Sequence, residues 1–136
     1  MKILFVCKHN RFRSKVAESI FLALNKNNGI EVESAGLQLD ELRPYIEKNV
    51  IQIMKEKGYE IKGKPRKMST ELIKDFDLIV IVADNVKKEL FSGFKGKIIK
   101  WDIKDCNANE VERIKKIVDE IEVEVKCLIK QLNKKV

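Results

Sequence analysis

Cys7 and Arg13 stand six positions apart in Cys7-Lys8-His9-Asn10-Arg11-Phe12-Arg13-Ser14, a stretch able to do nucleophilic chemistry on an oxyanion. A phosphoryl dianion needs several backbone N–H donors and a planar bidentate cation, and Arg13 supplies the second better than any lysine. Cysteine attacks as its thiolate, and in-line attack on phosphorus leaves a covalent phosphocysteine. Ser14, beside the arginine, can hydrogen-bond the sulfur and steady it when it leaves. The spacing alone is weak, since most cysteines that end a hydrophobic strand are buried and inert. It gains force between a strand and a helix N-terminus, where N–H groups converge and the helix dipole favours an anion. The expected phosphate-binding residues are Lys8, His9, Asn10, Arg11, Phe12, Arg13 and Ser14. Within them Arg11 reads as a rim charge. His9, the single histidine, sits where a backbone donor is wanted, so its ring is given no catalytic role.

The surrounding pattern supplies that strand and helix. Lys2 to Val6 reads as a buried strand, and Ser14 to Asn25 carries Val16, Ala17, Ile20, Phe21 and Leu24 as a helical stripe. Asn27-Asn28-Gly29 breaks it, and Glu31 to Ser34 is a second strand ending at Ala35-Gly36. Pro44 suits the first turn of a helix running to Gly58, a glycine placed to end it. Residues 62–67 form a loop, and Ser69 can cap a short helix through Ile73. Asp77 to Val82 is the strongest strand, with charge on either side, so it is expected to be central and parallel. Lys97 to Trp101 is a fourth strand. From Glu110 onward Val111, Ile114, Val118, Ile121, Val125, Leu128 and Leu132 recur in steps of three and four, one long amphipathic helix docked on the sheet. The alternation predicts a single α/β domain over residues 1–136, a three-layer sandwich with a four-stranded parallel sheet flanked by helices. Sites in such folds lie at the carboxyl ends of strands, where residues 7 to 13 fall.

Composition sets outer limits. At 136 residues, 44% hydrophobic and 36% charged, the chain is neither disordered nor built to span a bilayer. Met1-Lys2 leads directly into an apolar strand without a signal-type segment, which makes the cytoplasm the expected location. Three scattered cysteines and one histidine suggest neither a disulfide framework nor a zinc site, and no metal or other cofactor is expected. The formal charge of +7 suits an anionic substrate, but lysine is spread along the chain without the aromatic interleaving of a nucleic-acid platform. No nucleic-acid or membrane partner is expected, and the chain reads as a monomer.

On these residues the sequence resembles the low molecular weight protein tyrosine phosphatases and the thioredoxin-coupled arsenate reductases that share their fold. The resemblance rests on C-x5-R-S directly after an N-terminal strand, Asn10 within it, and Ala17-Glu18 in the helix. It continues through Glu33-Ser34-Ala35-Gly36, Asp75-Phe76-Asp77 before Leu78 to Val82, and Asp84-Asn85 after it. It implies phosphatase chemistry with Cys7 as nucleophile, Arg13 as clamp and a proton-donating aspartate after the fourth strand. That region here is Trp101-Asp102-Ile103-Lys104-Asp105-Cys106. By distance from the strand Asp105 matches the donor and Cys106 replaces the family's proline, with Asp102 as the rival. Such an acid protonates a leaving oxygen and contributes about 10²–10⁴-fold.

Three departures from the family pattern bear on substrate. Asn107-Ala108 stands where aromatic residues often wall a phosphotyrosine pocket, and Phe12 stands where many members carry a second loop cysteine. Val82, Ala83 and Asp84 include no resolving thiol at the end of the third strand. The expected reaction is phosphomonoester hydrolysis, on phosphorylated protein or a small phosphomonoester, with inorganic phosphate and related oxyanions as product or inhibitors. The alternative is arsenate reduction, in which Cys106 resolves an adduct on Cys7. Cys127, on the last helix, reads as structural.

Overall fold

A computed structural model of the chain describes residues 1–134 and shows strands and helices in strict alternation over most of that length. Strand β1 (Lys2–Cys7) leads into α1 (Arg13–Leu24), β2 (Glu31–Gly36), α2 (Lys48–Glu56) and the short α3 (Thr70–Ile73). Then come β3 (Leu78–Val82), a 3-10 turn over Lys88–Phe91, β4 (Lys97–Trp101) and α4 (Val111–Asn133). The four strands form one parallel sheet in the order β2-β1-β3-β4, so β1 and β3 are central.

β3 is apolar throughout and β1 from Ile3 onward, because both faces of the sheet are covered. Side chains alternate between the faces along each strand. Ile3, Phe5, Leu78, Val80 and Val82 join a core with α1, α2 and α4, which includes Val16, Phe21, Met54, Ile114 and Ile121. Leu4, Val6, Ile79 and Ile81 meet Ile73, Phe76 and Phe91 on the other face. The three-layer arrangement expected from the sequence is therefore present, with the heavier helical layer on the α1 side. Burying each of these large side chains stabilises the fold by roughly 1.5–3 kcal/mol.

Local signals explain several boundaries. Ser69 caps α3 by accepting from the Leu72 N–H at 3.0 Å. Gly58 takes a left-handed φ of 90° directly after α2. Two expectations fail. No helix starts at Pro44; α2 begins at Lys48, because the Tyr45 carbonyl and the Glu47 carboxylate both hold the Arg11 side chain and keep the preceding backbone extended. Cys127 is exposed, pointing away from the stripe that buries Val125 and Leu128, and so packs in no core.

Candidate active site

The carboxyl ends of all four strands converge on one place. The loop between β1 and α1 wraps there, with Gly36 at the end of β2, Asp84 after β3 and Ile103 after β4 against it. Helix α1 starts without a side-chain cap and without an acidic residue in its first turn. Among the described residues, the backbone N–H groups of residues 8–14 donate to no protein acceptor. A run of free donors at a helix N-terminus is an anion cradle.

A hydrogen-bonded chain sets the shape of that loop. Asn10 adopts a left-handed φ of 57°, tolerable for Asn among non-glycine residues. Its buried amide nitrogen donates to Ser14 Oγ at 2.7 Å and to Ser34 Oγ at 3.0 Å, while its oxygen accepts from the Arg66 N–H at 2.9 Å. Ser34 in turn donates to Glu18 Oε1 at 2.7 Å. Because Ser14 Oγ already accepts from Asn10, its proton is left for Cys7 Sγ, 2.9 Å away. Cys7 itself is 2% exposed. Glu18 and Ser34 thus support the loop from behind; both lie in the family-like motifs, but nothing in the linear pattern signals that they touch.

Gly36 admits the loop by having no side chain. A Cβ there would lie 2.7 Å from the His9 carbonyl carbon and 2.8 Å from the Asn10 nitrogen, both backbone atoms. The His9 ring lies beside this segment, its Nδ1 2.8 Å from the Gln38 carbonyl oxygen. A carbonyl only accepts, so Nδ1 carries the proton and the ring ties the loop to Gln38.

Arg13 is 2% exposed and held by two strand ends. Its Nη1 donates to the Ile103 carbonyl at 2.8 Å and reaches Asp84 at 3.4 Å; Nη2 donates to Asn85 Oδ1 at 3.2 Å and lies 3.7 Å from Asp105. Its Nε–H has no protein acceptor among the described residues. The guanidinium is thereby oriented before any substrate arrives, with Nε and Nη2 as its open edge. Arg11 is not the rim charge expected from the sequence. It is 7% exposed, donates through Nε to the Tyr45 carbonyl at 2.8 Å, and forms an ion pair with Glu47 while lying over the Tyr45 ring. Within the phosphate-binding set, its guanidinium and the Asn10 side chain serve as braces, leaving their backbone N–H groups to the cradle.

A cavity of about 180 Å³ opens over the loop, lined by Cys7, His9, Phe12, Arg13, Asp105 and Cys106, together with Arg11, Arg43, Glu47 and Asn107. Asp105 therefore shares a cavity with Cys7. Asp102, 80% exposed at its side chain and beside Lys100, does not line it. Cys106 also faces this cavity. Burial, then the neighbouring Asp105 and Glu110 carboxylates, push its thiol above the ordinary range. No aromatic slab follows Asp105, and the apolar wall comes from Phe12, Val50, Ala108 and Ile114. Among the described residues, no group of three or more His, Cys, Asp or Glu side chains could hold a metal ion, and no helix is long and apolar enough to cross a membrane.

Fold and site together define a parallel α/β domain built around a cysteine in a loop of free backbone N–H groups. A family model described as low molecular weight phosphotyrosine protein phosphatase matches residues 2–136, and the chain belongs to that family. A Synechocystis protein provisionally named a low molecular weight protein-tyrosine-phosphatase is 33% identical over 95 residues, a match covering 66% of this chain and 60% of that relative. The solved low molecular weight protein tyrosine phosphatase from T. tengcongensis is 29% identical with a TM-score of 0.83, covering 96% of this chain and 99% of that one. An arsenate reductase from Archaeoglobus fulgidus is equally similar in sequence, 29%, with a TM-score of 0.75 over 93% of this chain and 98% of its own.

Proposed function

We propose that this protein hydrolyses phosphomonoesters, protein phosphotyrosine among them, through a phosphocysteine on Cys7. The observation that carries the reading is one small cavity shared by Cys7, Arg13 and Asp105 above a loop of unpartnered N–H groups. The substrate phosphoryl group takes the free N–H groups of residues 8–14 and the Nε/Nη2 edge of Arg13. The Cys7 thiolate attacks phosphorus; the bond to the leaving oxygen breaks, and Asp105 gives that oxygen its proton. Asp105, now a carboxylate, takes a proton from water, which attacks the phosphocysteine and releases inorganic phosphate. Ser14, donating to the departing sulfur, stabilises the thiolate as it leaves. In this reading the enzyme acts in the cytoplasm, as a monomer, without a cofactor.

Turnover of p-nitrophenyl phosphate tests the proposal. Cys7→Ser should abolish it, and Asp105→Asn should lower turnover of an unactivated aryl phosphate by about 10²–10⁴-fold while inhibition by inorganic phosphate persists. Asp102→Asn should stay near wild type. Residual hydrolysis in Cys7→Ser equal to wild type would sink the enzyme reading, and an unaffected Asp105→Asn would remove that residue's role.

A second reading is favoured by one observation, the presence of Cys106 in the same cavity as Cys7. Arsenate attached to Cys7 would be resolved by Cys106, forming the Cys7–Cys106 disulfide and releasing arsenite, with an external dithiol restoring both thiols. The absence of a thiol among Val82, Ala83 and Asp84 at the end of β3 ranks this reading second, and the upward push on the Cys106 thiol runs the same way. Arsenate-dependent loss of two free thiols that disappears in Cys106→Ser would reverse the ranking.

A further inference from the structure

The segment that presents Asp105 has few attachments. It is held at Ile103, whose carbonyl accepts from both Arg13 and the Asp84 N–H, and it re-enters regular structure at α4. Between those points Lys104, Asp105 and Asn107 are exposed. The Cys106 N–H bonds only to its neighbour's carboxylate at 2.9 Å, and the Asn107 N–H to Glu110 at 2.9 Å. Apart from the 3.7 Å Asp105–Arg13 pair and the Glu110–Arg113 pair at the start of α4, one polar contact among the described residues carries this stretch to another element: Asn49 Nδ2 donates to the Ala108 carbonyl at 2.7 Å.

Asn49 lies in the first turn of α2, two residues after Glu47, which is paired with Arg11 of the phosphate loop. One helical turn therefore holds both catalytic loops, the phosphate loop through Glu47 and the acid-bearing loop through Asn49. Val50 of the same turn lines the cavity and is 1% exposed, so the turn is anchored in the core.

We infer that Asn49 is a positioning residue for the general acid: its amide fixes Ala108 and thereby the reach of Asp105 over Cys7. The inference rests on Asp105 being the acid. A residue that acts through the acid matters in proportion to how much the leaving group needs a proton. Losing one such hydrogen bond lets the acid occupy its working position less often, an effect of about 3–10-fold.

The test is a pair of substrates. With phenyl phosphate, whose leaving group is poor, Asn49→Ala and Asn49→Asp should lower kcat/KM, which ends at departure of the leaving group, by about 3–10-fold, whereas with p-nitrophenyl phosphate the loss in kcat/KM should stay within about two-fold. Asn49→Gln, which keeps an amide donor, should recover part of the loss. Inhibition by inorganic phosphate and alkylation of Cys7 by iodoacetate should be unchanged, since both report the phosphate loop. Equal losses on the two substrates, or weakened phosphate inhibition, would overturn the inference and make Asn49 a general scaffold residue. Asp105→Asn run alongside separates the two failures. If it shows no leaving-group dependence, the assignment of the acid falls; if it does and the Asn49 variants do not, only the role of Asn49 falls.

Discussion

Gly36→Ala offers a sharp test of how the phosphate loop is held. The added methyl would meet His9 C at 2.7 Å and Asn10 N at 2.8 Å, with His9 Cα at 3.0 Å. All three are backbone atoms, so no side-chain rotation relieves the overlap. Retreat of residue 36 is opposed by its own N–H, which donates to Arg66 at 2.7 Å, and by the next two, from Leu37 to Cys7 at 3.1 Å and Gln38 to Lys8 at 3.0 Å. Overpacking costs about 1–3 kcal/mol, and a contact between two fixed backbones belongs at the upper end, about 2–3 kcal/mol. For a domain of this size that lowers Tm by roughly 6–12 °C. The phosphate loop must also shift by a fraction of an ångström to an ångström, which costs up to about 10²-fold in kcat/KM. Thermal unfolding by circular dichroism and p-nitrophenyl phosphate kinetics measure the two effects, with Gly93→Ala as control because nothing lies within 4 Å of a Cβ there. If Gly36→Ala matches Gly93→Ala in both Tm and kcat/KM, the close approach is not what confines this position to glycine.

Two further expectations concern braces outside the reacting atoms. Arg11→Met leaves the Glu47 carboxylate, 19% exposed, without its cation and should cost about 1–3 kcal/mol in urea unfolding; Arg11→Met with Glu47→Met should recover much of it, and a double variant no better than the single would show that the pair is not the brace. At the far end of α2, Lys57 and Tyr59 meet Asp119 and Glu122 of α4. Burial pushes the Glu122 carboxyl up, but the Tyr59 hydroxyl and the Lys57 ammonium outweigh it and hold it below its ordinary 4.5. Its contribution is present above that pH and lost as pH falls through the folded value. Lys57 is raised above 10.5, chiefly by its bond to Asp119 against the opposing burial, and Tyr59 is pushed up to about 12 by burial and then by Glu122. Both contributions are present below the unfolded values and lost as pH climbs through the folded ones. Urea midpoints should therefore fall above about pH 10, and less steeply in Tyr59→Phe; an identical alkaline fall in the variant would show that Tyr59 contributes none of it.

Much of this architecture was legible because burial on both faces writes unbroken apolar runs at β1 and β3, and α1 and α4 carry clear helical stripes. Cys7, Arg13 and Ser14 could be picked out because nucleophilic chemistry on an oxyanion demands particular side chains at particular offsets from a strand end. Distance from β4 also separated Asp105 from Asp102, and of the two Asp105 lines the cavity with Cys7. What stayed hidden depends on contacts distant in sequence. Pro44 carries a helix-start signal that the bonds from Arg11 to Tyr45 and Glu47 override. Asp84 and Asn85 matched a motif, yet their hold on Arg13 exists only because β3 lies beside β1. Asn49 has no local signature, since its partner lies 59 residues away.

The segment from Leu37 to Glu47 is fastened at both ends and independent between them. Its start is pinned by the Leu37 and Gln38 N–H groups and its end by Arg11, while the bonds of Leu42 and Arg43 go to Asp40 within the same turn. Leu42 at its tip is 90% exposed. Doubling the length of such a loop costs only about 0.6 kcal/mol in closure entropy. The stretch between Gln38 and Tyr45 is thus a replaceable cartridge: Arg43 is the residue it lends to the cavity, and its length and sequence can be exchanged while the fastenings at either end stay as they are.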